Sequence, residues 1–130
     1  MDTGEPPQDV LQFIAEQIDT VPHLEALLLL YKQPSEHWTV EFTAIRLYVS
    51  LETAAQILRD LEQRRLIGKR PDAPATEYVF DATWDITGQL MAKVAMTYTR
   101  FLTPVATFIH SKAPRSVLEF ARAFDLKKDR

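Results

Sequence analysis

Apolar residues recur at helical spacing along most of this chain. In "QDVLQFIAEQID", Val10, Leu11, Ile14, Ala15 and Ile18 line one side, with Phe13 on the flank, which predicts a short amphipathic helix. "DTVP" interrupts it, and Thr20 is placed to cap a second helix that starts near Pro22. That helix, "PHLEALLLLYK", is apolar on most sides and is expected at the centre of the core. After "QPSEH", Trp38 lies in an extended spot and Thr39 is a good cap for a short third helix carrying Phe42, Ile45 and Leu47. The strongest periodicity is in residues 51–67, with Ala54, Ile57, Leu58 and Leu61 on the buried side, Leu66 closing it, and Gly68 expected to supply the terminating turn.

The period then changes. "LIGKRPDAPATEYVFD" predicts two short strands, near 66–70 and 77–81, joined by a proline-rich loop. From Trp84 helical spacing returns. Val94, Tyr98, Phe101, Val105 and Phe108 form a stripe that Leu90, Met91, Ala95, Leu102 and Ile109 widen. One long helix bent at Pro104 is expected, followed by a short helix with Val117, Leu118, Ala121 and Phe124 on one face. The resulting fold class is mainly α with a small β-wing: a winged helix-turn-helix with additional N- and C-terminal helices. The expected organisation is an acidic tail and first helix over 1–19, the winged helix over 20–83, and a long helix plus a terminal helix over 84–130.

Residues 39–67, "TVEFTAIRLYVSLETAAQILRDLEQRRLI", carry the helix-turn-helix part of this pattern. Thr39, Glu41, Ala44, Leu47, Val49, Ser50, Thr53, Leu58, Leu61, Glu62, Arg64, Leu66 and Ile67 stand in one ungapped register that resembles bacterial winged-helix transcriptional regulators. The departures are specific. Tyr48 and Arg65 stand where that pattern usually has glycine, Thr43 takes an apolar position, and Ala55 and Gln56 hold two positions that usually read bases. The resemblance implies a transcriptional regulator that binds double-stranded DNA; a cytoplasmic location is the default expectation, and a homodimer is expected from the C-terminal apolar stripe. The N-terminal half of the second motif helix would enter the major groove. Thr53, Gln56 and Gln63 are the polar candidates there, and Arg46, Arg59, Lys69 and Arg70 are the candidates for phosphates. The alternative is a winged-helix adaptor that captures a protein partner through Tyr48, Leu51 and the helix surface and binds no DNA. The stripe of Val94, Tyr98, Phe101, Val105 and Phe108 is the expected dimer interface, because a monomer would leave it as a large apolar patch unless it folded back on residues 9–18.

Charge tempers the DNA reading. The net charge is -3 over 130 residues, yet it is uneven. Residues 1–21 hold five acids and no lysine or arginine, whereas 84–130 hold eight bases and four acids. Within 51–70, five bases face three acids, a weak basic patch. An attraction between the acidic head and the basic tail, within or between subunits, stands beside the simpler reading that both are solvated.

Other chemistry finds little support. No cysteine is present, which removes disulfides and thiolate metal sites. His23, His37 and His110 are scattered without ligand spacing, so no metal site is expected. No glycine-rich phosphate loop or nucleophile elbow surrounds any serine, and neither an enzyme nor a cofactor is expected. A small-molecule cleft lined by Phe13, Tyr98, Phe101 and Phe108 is a further reading, with core or interface the plainer one for these aromatics. "LMAKVAMTYTRFLTPVATFIHS" is broken by Lys93, Arg100 and Pro104, so no membrane insertion is expected, and the acidic "MDTGEPPQD" is not expected to act as an export signal.

Overall fold

The structure is a computed structural model that describes residues 4–111. The short helix expected around Val117 to Phe124 lies outside the described residues. Among the described residues, six α-helices and a two-stranded antiparallel sheet follow one another: α1 (Gln8–Gln17), α2 (Val21–Lys32), α3 (Val40–Leu47), α4 (Leu51–Gln63), β1 (Ile67–Lys69), β2 (Tyr78–Phe80), α5 (Gln89–Arg100) and α6 (Leu102–Ser111). A single 3-10 turn, Ala82–Trp84, links the sheet to α5.

Side-chain caps start three of the helices. The hydroxyls of Thr20, Thr39 and Ser50 accept from the backbone N–H of His23, Phe42 and Thr53 at 3.3, 3.1 and 3.0 Å. Each satisfies one N–H that the first turn leaves without an internal partner. Pro22 sits in the first turn of α2, where its missing N–H costs nothing.

α2 is the central helix. His23, Leu24, Ala26, Leu27, Leu28 and Leu30 are all buried on it. α4 and β2 pack on one part of α2 and α6 on another, while α3 lies along both α2 and α4. The wing pairs Ile67 with Phe80, Gly68 with Val79 and Lys69 with Tyr78. Trp38 extends this sheet with an antiparallel bridge to Tyr78, whose N–H donates to the Trp38 carbonyl at 3.0 Å. The chain before α3 therefore runs as a third, one-residue strand position. The Trp38 indole is fully buried, and its Nε1–H donates to the Gln33 carbonyl at 2.8 Å. From α2 onward, helix, bridge, helix, helix, hairpin is the winged-helix order, with α1 as an additional helix before it.

Two expectations are corrected here. The apolar stretch after Trp84 is two helices rather than one bent helix. The break falls at Phe101, where φ is -120° and ψ 49°. Had α5 run on, the Pro104 ring would clash with the Arg100 carbonyl. As the third residue of α6, Pro104 instead occupies a first turn that needs no N–H from it. The turn ending α4 is likewise made by Arg65, with φ of 61°, while Gly68 lies within β1.

α5 and α6 fold back on α1, and α6 also reaches α2. Val10, Ile14, Met91, Val94, Val105 and Ile109 thereby join Leu24, Leu27, Leu58 and Leu61 in one core. Full burial of each such side chain stabilises by about 1.5–3 kcal/mol before chain entropy is set against it. Phe13 and Trp84 stack at 5.2 Å beside this core.

Candidate nucleic-acid interface

α4 separates its two faces cleanly. Ala54, Ile57, Leu58 and Leu61 are buried, and Glu52, Thr53, Gln56, Arg59 and Gln63 are exposed. The turn before it is unusual. Tyr48 takes a left-handed conformation, φ 59° and ψ 45°, which costs a non-glycine residue about 1–2 kcal/mol. Its ring is 94% exposed, and exposed Ile45 and Leu51 flank it at 68% and 55%. Both departures from the glycine pattern, Tyr48 and Arg65, thus fall where the backbone is left-handed. Thr43 is buried, with its hydroxyl donating to the Thr39 carbonyl at 2.7 Å, which explains how a polar residue stands at an apolar position.

The outward side chains of α4 are linked to one another. Gln56 donates from Nε2 to Asp60 Oδ1 at 2.7 Å, and Arg59 donates to Gln56 Oε1 at 2.9 Å. Thr53 Oγ1 accepts from the Ser50 hydroxyl at 3.0 Å. Gln63 is exposed at the far end.

The basic candidates are less available than their positions along the chain imply. Arg46 donates to Gln33 Oε1 at 3.1 Å and lies 5.5 Å over the Trp38 ring and 5.7 Å over Phe42. Arg70 donates from Nε to Glu77 Oε1 at 3.0 Å, and its terminal nitrogen reaches the carbonyls of Pro34 and Glu36 at 3.1 and 3.3 Å. Both arginines are tied to neighbouring segments of the chain. Lys69 meets Glu62 at 3.7 Å across exposed surface, a pairing weak enough to exchange. Arg64 is held by Asp19 and the Gln17 carbonyl, each at 2.8 Å.

The stripe expected to meet a second copy is largely used within the chain itself. Val94 and Val105 are fully buried, and Tyr98, Phe101 and Phe108 are half-buried against the core. This is the fold-back alternative, and it removes Val94 and Val105 from any outer surface. Met96 and Leu102 remain exposed on these helices at 69% and 54%.

Two of the clefts among the described residues open on the surface. One, of about 350 Å³, lies between α2, α3 and α5, where Leu28, Leu29 and Leu47 meet Tyr48 and Tyr98. The Tyr98 hydroxyl donates to Glu25 Oε2 at 2.9 Å. Partial burial, then the Glu25 carboxylate, pushes its pKa up to about 12. Phe13 lines the other cleft, of about 330 Å³, with Trp84, Leu66 and Leu90. The expected single aromatic cleft is therefore divided, with Phe13 and Tyr98 in different places.

Sequence spacing gave no sign of one cluster. Asp19, His23 and Asp60 place ligand-type atoms within 4.8 Å of one another, the grouping of this kind among the described residues. His23 Nε2 lies 2.8 Å from Asp60 Oδ2, and Arg64 occupies Asp19, so each carboxylate of the cluster already has a hydrogen-bond partner. Thirty-seven positions separate His23 from Asp60, a distance no local motif spans.

No helix among the described residues is long and apolar enough to cross a membrane. No protein-family model matches the chain, and no curated protein matches it. Among solved structures it is similar to a MarR family protein from Bacillus stearothermophilus, at 14% identity and a TM-score of 0.49, over 94% of this chain and 81% of that one. The winged-helix architecture rests on this chain's own elements, the bridge at Trp38, the α3–α4 turn and the β1–β2 wing.

Proposed function

We propose that this chain is a winged-helix transcriptional regulator that reads double-stranded DNA with the outward face of α4 and acts as a homodimer. The observation that carries this reading is the capped helix with one face sealed in the core and Thr53, Gln56, Arg59 and Gln63 exposed on the other. In this reading the N-terminal half of α4 enters the major groove, Gln56 and Arg59 meet base edges, and Lys69 exchanges Glu62 for a phosphate. Arg46 and Arg70 act as braces and leave the contact set. A second copy would pack on Met96, Phe101, Leu102 and Phe108.

Fluorescence anisotropy with a labelled pool of random duplexes tests this. Binding should weaken steeply with salt and be lost in Thr53→Ala/Gln56→Ala/Arg59→Ala, with the fold retained. Absence of binding at low salt would overturn it. A second reading, an adaptor that docks a protein, is favoured by exposed Ile45, Tyr48 and Leu51 around the α3–α4 turn. In that case Tyr48→Ser/Leu51→Ser abolishes partner capture and leaves DNA binding untouched.

A further inference from the structure

We infer that His23, buried on α2, is a positioning residue that sets which base the outward face of α4 prefers, acting on Gln56 and Arg59 through Asp60. The inference rests on the reading above that α4 contacts DNA. His23 is only 6% exposed. Its Nε2 lies 2.8 Å from Asp60 Oδ2, and its Nδ1 lies 2.6 Å from the Thr20 hydroxyl that also caps α2. The ring is thus held at both nitrogens. Asp19 lies in the same cluster but is taken by Arg64 at 2.8 Å, which leaves the imidazole to Asp60.

The consequence travels outward along one chain of hydrogen bonds. An unrestrained aspartate on a helix surface samples several rotamers. Here one oxygen is pinned to a buried ring, so the other is held toward Gln56, one turn earlier on α4. Asp60 Oδ1 accepts only from a donor and therefore selects the Gln56 amide nitrogen. The amide carbonyl must then face the other way, where Arg59 donates to it. Gln56 keeps one amide N–H and one carbonyl lone pair, but its orientation is set by Asp60 and Arg59 rather than by a base, and the remaining guanidinium N–H donors of Arg59 are the groups still free to turn to a base edge.

Donors of that geometry match the paired acceptors of guanine, whereas a free glutamine amide matches adenine. The intact relay therefore favours guanine at the contacted position. Cutting it releases the Gln56 amide and moves preference toward adenine. A contact of this kind carries roughly 1–3 kcal/mol of discrimination, about a 5- to 150-fold preference.

Two measurements test this on the full chain. Without DNA, the Gln56 side-chain amide pair in a ¹⁵N NMR spectrum should lie away from free glutamine in the wild type. It should move to the free position in His23→Met and stay in place in His23→Gln, whose amide still donates to Asp60. With DNA, sequences selected from a random duplex pool should favour guanine for wild type and His23→Gln, and adenine for His23→Met. If His23→Met does not fold, Asp60→Asn, which leaves one carbonyl oxygen to serve both neighbours, carries the same comparison. A Gln56 amide unmoved by His23→Met overturns the positioning role whatever the DNA result. A moved amide with an unchanged base preference overturns the specificity role alone. Wild-type protein that selects no DNA overturns the proposed function and the specificity role together, while the NMR result still decides the positioning.

Discussion

Arg70 and Glu77 form an ion pair on the inner side of the wing, with Nε 3.0 Å from Oε1. The Glu77 side chain is only 8% exposed and also faces His37 Nδ1 at 3.1 Å. A buried carboxylate needs such partners, because an unpaired one bears the full loss of its hydration. Arg70 therefore holds the wing against the loop before α3. Glu77→Gln should cost about 1–3 kcal/mol in urea denaturation, since it weakens charged hydrogen bonds in a sheltered place.

The same pairing separates two neighbouring cations in a DNA titration. Lys69→Ala should reduce the slope of binding against salt by about 1, as the loss of one phosphate contact does. Arg70→Ala should lower thermal stability and leave that slope unchanged. Equal slopes in the two variants would show that Arg70 leaves Glu77 for phosphate.

Tyr48 and Arg65 hold left-handed backbone at the ends of α3 and α4. Tyr48 is almost fully exposed, so its removal sacrifices no core packing. Tyr48→Gly should relieve about 1–2 kcal/mol of strain and give back part of that through the greater freedom of unfolded glycine. A net gain of about 0.5–1 kcal/mol in chemical denaturation is expected, with the same sign for Arg65→Gly. A loss of stability at Tyr48→Gly would show that the ring is held by contacts on the cleft beside α2.

Tyr98 gives stability a dependence on alkaline pH. Its folded pKa of about 12 exceeds the ordinary tyrosine value of 10.0. Between those values the unfolded chain releases the phenol proton while the folded chain keeps it, so unfolding is favoured as pH rises. The contribution is fully present below 10, declines through the interval and is gone above about 12. Tyr98→Phe should flatten this limb, and the wild-type minus variant phenolate absorbance should rise late. A difference spectrum centred at the ordinary tyrosine value would contradict the Glu25 contact.

Asp9 shows the opposite sign. The hydrogen bond from Lys93, at 2.6 Å, is the main reason its carboxyl lies below the usual range. This bond ties α1 to α5. Its contribution is present above the ordinary carboxylate value of 3.8 and is lost as pH falls through the lowered one. In Lys93→Met, the Asp9 carboxyl followed by NMR should titrate at a higher pH than in the wild type. Both groups are half exposed, so melting temperature at neutral pH should change little.

Sequence alone determined what is local in this protein. Hydrophobic spacing and the hydroxyls of Thr20, Thr39 and Ser50 act within a turn or two, and they predicted α1 to α4 and the wing. The tertiary structure decided the fate of the charges and of the C-terminal stripe. Arg46, Arg64 and Arg70 read as surface cations until Gln33, Asp19 and Glu77 come within hydrogen-bond reach. Val94 and Val105 read as a dimer interface until α5 and α6 fold onto α1. His23 gave no signal at all, because its partner is supplied by another helix. An apolar stripe states only that it will be covered, and a charge only that it will be solvated or paired. Which surface or group does so depends on distances of a few ångströms between segments far apart in the chain.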